Sequence, residues 1–161
     1  MPGSSRWPSL GPRGEGYVIL QALLVAATAF AFVLDGRFGP VGIGIGTALL
    51  AVGLVLFAVS VATLGRSLTP LPRPKDAGEL VEHGIYARVR HPIYGALLLA
   101  ALGWSIAFAP WGIVTTVLLA VLFDLKSRRE EAWLLERYPG YAEYRRRTPG
   151  RFLPRWPPRA G

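Results

Sequence analysis

A histidine and two arginines stand just ahead of a proline and a tyrosine in Gly84-Ile85-Tyr86-Ala87-Arg88-Val89-Arg90-His91-Pro92-Ile93-Tyr94-Gly95. Proline fixes φ near its helical value and has no N–H to donate, so Pro92 suits the first position of a helix. The residue before a proline is pushed toward an extended conformation, which leaves His91 just outside that helix. The amides of Ile93, Tyr94 and Gly95 then face back toward Arg88, Arg90 and His91. Unbonded amides, the positive end of a helix dipole and two guanidiniums together suit an anion. His83, in the loop before, reads as structural.

Charges of the opposite sign lie in Asp124-Leu125-Lys126-Ser127-Arg128-Arg129-Glu130-Glu131. Asp124, Arg128 and Glu131 share a helical face by their i, i+4, i+7 spacing, and Asp124 and Arg128 can pair. Asp124 sits at the edge of an apolar run, where a carboxylate is expensive and takes a partner. Tyr138, Tyr141, Tyr144 and Phe152 recur in a polar, basic segment beyond. They suit either an aromatic cover over a site or packing of the tail on lipid head groups.

The elements that position these residues are written in the composition. Of 161 residues, 52% are apolar and only 17% charged, against about 25% charged in an ordinary soluble domain. Charge and apolarity are segregated, as in an integral membrane protein. Tyr17 to Leu34 and Val41 to Leu64 are apolar runs of 18 and 24 residues, each long enough to cross a bilayer. Ile93 to Ala109 is a third run, stopped by Pro110. Trp111 to Phe123 is a fourth; it continues past Asp124 as one helix to Arg137 and breaks at Pro139-Gly140. The expected fold is all-α, with about four transmembrane helices (about 17–34, 41–64, 93–109 and 111–125) and a cytoplasmic C-terminal helical segment. Residues 1–16 read as a flexible tail and 17–161 as one domain, with motif regions at 84–95 and 126–155. Asp35 to Pro40 reads as a tight turn, and residues 65–91 as a polar loop with a short amphipathic stretch around Leu80. The N-terminal residues lack the apolar core of a signal peptide.

The net charge of +8 is concentrated in the segments flanking these runs. That argues for anionic lipid head groups and against nucleic acid. With no cysteine, the chain has no disulfide, no Cys-bound zinc and no Cys nucleophile, and no metal site is expected. Outside the runs, Lys and Arg number 2 in the N-terminal tail, 1, 5 and 0 in the three loops, and 10 in the C-terminal segment. The positive-inside rule then places both termini and the second loop in the cytoplasm; the expected location is a bacterial inner membrane. Because little more than Ala109-Pro110 joins the third and fourth runs, they form a tight antiparallel hairpin. That brings Arg90 to Tyr94 against the region from Asp124 to Glu131.

Two further patterns take the plainer reading. The glycines of Val41-Gly42-Ile43-Gly44-Ile45-Gly46 open an apolar run, with no strand before them, so they serve close helix approach through Gly42 and Gly46 rather than nucleotide binding. Trp104, Trp111 and Trp133 fit interfacial anchoring.

The spaced set Gly84-x-Tyr86-x-x-Val89-Arg90-His91-Pro92-Ile93-Tyr94-Gly95, Glu130-Glu131-x-x-Leu134, Tyr141-x-x-Tyr144 and Arg151-Phe152-Leu153-Pro154 resembles the isoprenylcysteine carboxyl methyltransferase family, which is related to the phospholipid methyltransferases. The resemblance covers roughly residues 70–155; the first two apolar runs carry no motif. It implies an integral membrane O-methyltransferase using S-adenosylmethionine. By this resemblance Tyr86, Arg90, His91, Pro92, Tyr94, Glu130 and Glu131 bind the cofactor. The helix start at Pro92, with Arg90 and His91, holds its carboxylate; Glu130 or Glu131 takes its ammonium or ribose; Tyr86 and Tyr94 line the adenosine or sulfonium. Glu131 and Arg137 are the catalytic candidates, Arg137 for orienting an acceptor carboxylate. A carboxylate acceptor needs no general base, and beyond Glu130, Glu131 and His91 the sequence offers none. The acceptor is a lipophilic small molecule or prenylated group arriving from the bilayer. The eukaryotic members have more spans, so a bacterial isoprenoid or other lipid stands beside prenylcysteine.

Two alternatives remain. Sterol reductases share a similar C-terminal arrangement and bind NADPH, but their motif usually reads Arg-His-Pro-Asn-Tyr followed by Gly and an acidic residue. Here Ile93 and Ala96 occupy the Asn and acidic positions. A non-enzymatic membrane subunit would leave the Arg90–Tyr94 and Glu130-Glu131 pairing without a use.

Overall fold

The computed structural model describes residues 10–34, 39–74 and 78–155. Among them every regular element is helical: α1 (Glu15–Phe30), α2 (Pro40–Leu64), α3 (Pro92–Phe108), α4 (Gly112–Arg137) and α5 (Tyr141–Arg147). Short 3₁₀ turns follow α1 and α2, and another, Gly84–Ala87, precedes α3. Most of the expected turn at Asp35 to Pro40, and residues 1–9 of the expected tail, lie outside the described residues. α1 begins at Glu15, two residues before the expected Tyr17.

Among the described residues two helical segments are long and apolar enough to cross a membrane, Glu15–Val33 and Pro40–Ser67, with mean hydropathies of 2.1 and 2.5. Only 17% of each is buried inside the protein, which separates them from the core helices of a soluble domain. Large apolar side chains such as Ile19, Leu23, Val55 and Val59 face outward. An exterior of this kind suits contact with lipid. This is a membrane-associated helical protein.

α3 and α4 form the expected hairpin and take the middle of the bundle, with α2 packed along α3 and α1 along α4. Small residues let α2 and α3 meet backbone to backbone. A side chain on Gly46 would strike the Ala107 amide and the Gly103 carbonyl, and one on Gly53 would meet Ala100. Close approach therefore uses Gly46 against Gly103 and Ala107, and Gly53, seven residues on, against Ala100, rather than the expected pair Gly42 and Gly46, while nothing crowds Gly44. The core joins Tyr17 of α1 to Leu119, Leu122 and Phe123 of α4.

α4 runs unbroken from the apolar interior into the charged segment, as its sequence requires. It stops where Tyr138 turns extended (φ −119°, ψ 111°) ahead of Pro139. Trp111 is exposed at the hairpin, consistent with an interfacial anchor, but Trp133 is buried, with the Arg129 guanidinium 4.3 Å from its ring. The anchoring role fails for Trp133 because the amphipathic end of α4 turns that face inward.

Candidate active site

Pro92 starts α3, with His91 in a non-helical conformation before it. Behind this helix start runs the segment after α5. The Arg90 amide donates to the Gly150 carbonyl at 3.0 Å and the His91 amide to the Arg151 carbonyl at 2.8 Å. Gly95 makes that contact possible, since a Cβ there would collide with the Phe152 carbonyl. The C-terminal segment is a strap across the back of the helix start.

Glu131 of α4 ties these pieces together. Its Oε1 lies 3.0 Å from Arg90 Nε, 3.1 Å from His91 Nε2 and 3.6 Å from Arg151 Nε. Arg90 Nη1 also donates to the Thr148 carbonyl at 2.6 Å. Burial alone would raise the Glu131 carboxyl, but the hydrogen bond and charge of His91, then those of Arg90, outweigh it. They hold it at about 2, against an ordinary 4.5. Asp124 completes the network, pairing with Arg128 at 2.7 Å as expected and with Arg151 at 2.6 Å.

Glu130, one residue earlier, points elsewhere. Tyr94 donates its hydroxyl to Glu130 Oε2 at 2.8 Å, and His91 Nδ1 lies 3.7 Å from the same oxygen. The Tyr94 ring lies parallel to His91 (centroids 5.5 Å apart) and stacks on Phe123 (4.6 Å), with Phe152 edge-on to His91 and Tyr94. These contacts fix both rings.

In front of this assembly opens a cavity of about 390 Å³. Arg90, His91, Tyr94 and Glu130 line one side, and Tyr86, Tyr138, Tyr141 and Tyr144 another. Apolar side chains of α2 and α3, among them Phe57, Val61, Ile93 and Leu97, supply a further part of the lining, and residues 67–70, Pro74 and residues 78–81 complete it. Tyr144 donates to the Tyr86 carbonyl at 2.8 Å and Tyr138 to the Gly78 carbonyl at 2.7 Å. Burial pushes the Tyr86, Tyr141 and Tyr144 hydroxyls above their ordinary range, so all three stay protonated at neutral pH. The Tyr141 hydroxyl is buried without a hydrogen-bond partner among the described residues. The aromatic-cover reading thus fits the three tyrosines, whereas Phe152 packs behind the site.

Four expected site residues fall differently. Glu131 and Pro92 are buried but do not line the cavity, because Glu131 is turned to Arg90 and Arg151 and Pro92 serves the helix start. Arg137 is exposed at the end of α4, with its guanidinium 5.8 Å from the Tyr138 ring and outside the cavity wall. Arg88 is also exposed and away from the cavity, and the Gly95 amide donates to the His91 carbonyl at 3.3 Å. The open anion site of two guanidiniums and three amides is therefore not formed as expected: Arg90 is braced by Glu131 and one amide is internally bonded.

Two lining residues escaped the motifs. Lys126, only 2% exposed, donates Nζ to Gln21 Oε1 of α1 at 2.7 Å and lies 5.1 Å from the centre of the Tyr94 ring. Burial lowers its pKa and Glu130 works against that shift. The signals were present: Gln21 is a lone amide in an apolar run, and Lys126 stands four residues before Glu130 on the same helix face.

A family model described as phospholipid methyltransferase matches residues 41–140, from α2 through α4, including the motif-free second run. The cobalt-zinc-cadmium resistance protein CzcN of Cupriavidus metallidurans is 35% identical over 136 residues, covering 82% of this chain and 61% of that protein. The nickel-cobalt-cadmium resistance protein NccN of Alcaligenes xylosoxydans xylosoxydans is 34% identical over 117 residues, covering 69% and 52%. A probable protein-S-isoprenylcysteine O-methyltransferase of Oryza sativa is 31% identical over 105 residues, covering 62% and 55%. The chain thus spans between half and about three fifths of the length of these curated relatives. It belongs to the phospholipid methyltransferase family, as the resemblance in its motifs indicated.

Proposed function

We propose that this member of the phospholipid methyltransferase family is an S-adenosylmethionine-dependent methyltransferase acting on a lipid-like acceptor, with a carboxylate as the atom group methylated. The observation that carries the reading is the coincidence of the family match with a cavity lined both by charged and hydroxyl-bearing side chains and by apolar ones. Its volume of about 390 Å³ falls within the roughly 300–1,000 Å³ of small-molecule sites. The donor set suits the cofactor. Glu130 offers a carboxylate for an ammonium or ribose hydroxyls, and Arg90 and His91 offer positive charge and N–H groups for a carboxylate. Tyr141 presents a buried, unpartnered hydroxyl that a polar ligand would satisfy.

On this reading Arg90, His91, Tyr94 and Glu130 hold the cofactor, Tyr86 and Tyr141 line it, and Glu131 acts from behind by fixing Arg90 and His91. S-adenosylmethionine supplies an electrophilic methyl group, which an acceptor carboxylate can take without first losing a proton. The protein's share is alignment and exclusion of water. The tyrosines 138, 141 and 144 with residues 67–70 and 78–81 border the cavity, while an acceptor slides in between helices from the bilayer. The charge count supports four spans with the cavity and both termini on the cytoplasmic side of a bacterial inner membrane.

Calorimetric titration of the detergent-purified protein with S-adenosylmethionine and with NADPH tests this. The first should bind and the second should not, with affinity reduced at least tenfold by His91→Ala or Glu131→Ala. Binding of NADPH alone would sink the methyltransferase reading.

A further inference from the structure

We infer that Lys126, braced by Gln21, binds the carboxylate end of the lipophilic acceptor; this rests on, and deepens, the methyltransferase reading. The ammonium is almost fully buried, and its hydrogen bond to the Gln21 amide uses one of three donors. That partner is neutral. Among the described residues no Asp or Glu oxygen lies within 4 Å of Nζ. The nearest acid on its own helix, Glu130, already accepts the Tyr94 hydroxyl. A buried ammonium with no carboxylate in direct contact is costly, even with Glu130 one helical turn away, and proteins pair such a group or neutralise it.

The position decides which anion would pair with it. Lys126, Gln21 and Tyr94 line the cavity together with Phe57, Val61 and Leu97. Lys126 thus shares the cavity lining with polar and apolar side chains alike, with Nζ on the face of the Tyr94 ring. An amphiphile with its chain among the apolar side chains would bring an anionic head to Nζ. Gln21 belongs to α1, which packs against α4 and faces outward with apolar side chains, so the brace comes from the lipid side. Glu130 and the Arg90–His91 face are left for the other ligand. The cavity thus holds two charge-reading centres on one helix, Glu130 for a cation and Lys126 for an anion.

The test is retention of radiolabelled oleate by the full chain in detergent at pH 8, competed with unlabelled oleate or its neutral isostere oleamide, with S-adenosylmethionine titrated on the same samples. The wild type should favour oleate over oleamide by at least tenfold. Lys126→Met should erase the preference, leaving oleamide competition within twofold and S-adenosylmethionine affinity within threefold. Lys126→Arg should keep the preference, and Gln21→Leu should cut it at least threefold. Absence of a preference in the wild type, or an undiminished one in Lys126→Met, overturns the proposal. Should Lys126→Met not fold, an unchanged preference in Gln21→Leu overturns it. Oleate preference without S-adenosylmethionine binding would refute the methyltransferase reading while upholding the anion site; the reverse would refute the anion site alone.

Discussion

Replacing Glu131 with glutamine should do more damage to the strap than to the cavity wall. The side chain is 7% exposed, and its Oε1 is shared by Arg90 at 3.0 Å and His91 at 3.1 Å, with Arg151 at 3.6 Å. A carboxyl held at about 2 instead of 4.5 corresponds to about 3 kcal/mol in favour of the folded state at neutral pH. Removing one partner of a buried pair costs about 3–5 kcal/mol, because the remaining charge stays buried. The expected loss is about 3 kcal/mol, or a fall in Tm of about 6–12 °C for a chain of this size. The pH dependence gives a sharper test. Because the folded-state pKa is depressed, this stabilisation is complete above about pH 5 and disappears as pH falls from 4.5 toward 2. Thermal unfolding in mild detergent should show the wild type losing about 3 kcal/mol more than Glu131→Gln across that window. Parallel curves for the two proteins would refute the assignment of Glu131 as the clasp between α4, the helix start and the strap.

Three further outcomes follow from the same geometry. Tyr94→Phe should keep the fold, since the stacks on His91 and Phe123 remain, yet weaken S-adenosylmethionine about three- to tenfold through loss of the hydroxyl to Glu130, read by calorimetry. Gly95→Ala should push the Phe152 carbonyl away and cost about 1–3 kcal/mol; faster tryptic cleavage after Arg151 would report the loosened strap. Arg137→Ala should leave cofactor affinity within twofold, because the residue lies outside the cavity wall; a tenfold loss would return it to the binding site.

Much of the scaffold was legible because membrane helices announce themselves. Backbone groups in lipid must be satisfied within the helix, so long apolar runs leave few other structures open. Pro92 marked one helix start, and Pro139 marked the end of α4 through the extended conformation it imposes on Tyr138. The short Ala109-Pro110 link made the hairpin unavoidable, and with it the meeting of Arg90–Tyr94 with Glu130-Glu131. The spacing of the α2–α3 contact was not legible. It depends on which face of α2 meets α3, and a helix with apolar residues all round does not record that choice.

The division of labour between Glu130 and Glu131 was hidden for a related reason. Adjacent residues on a helix project about 100° apart, so a carboxylate pair cannot serve one ligand from one direction. Which of the two faces the cavity depends on the rotation of α4, and Phe123 fixes that rotation by burying itself beneath Tyr94. With Phe123 inward, Lys126, Glu130 and Leu134 follow at helical spacing along the cavity wall, while Asp124 and Glu131 turn toward Arg151. A charged run that could pass for a solvated helix end is thus split into a wall and a clasp by one aromatic stack. It follows that the clasp and the wall should fail differently: loss of Glu131 lowers stability through the strap as well as cofactor affinity through Arg90 and His91, whereas loss of Glu130 or Lys126 weakens ligand binding in a protein that still folds.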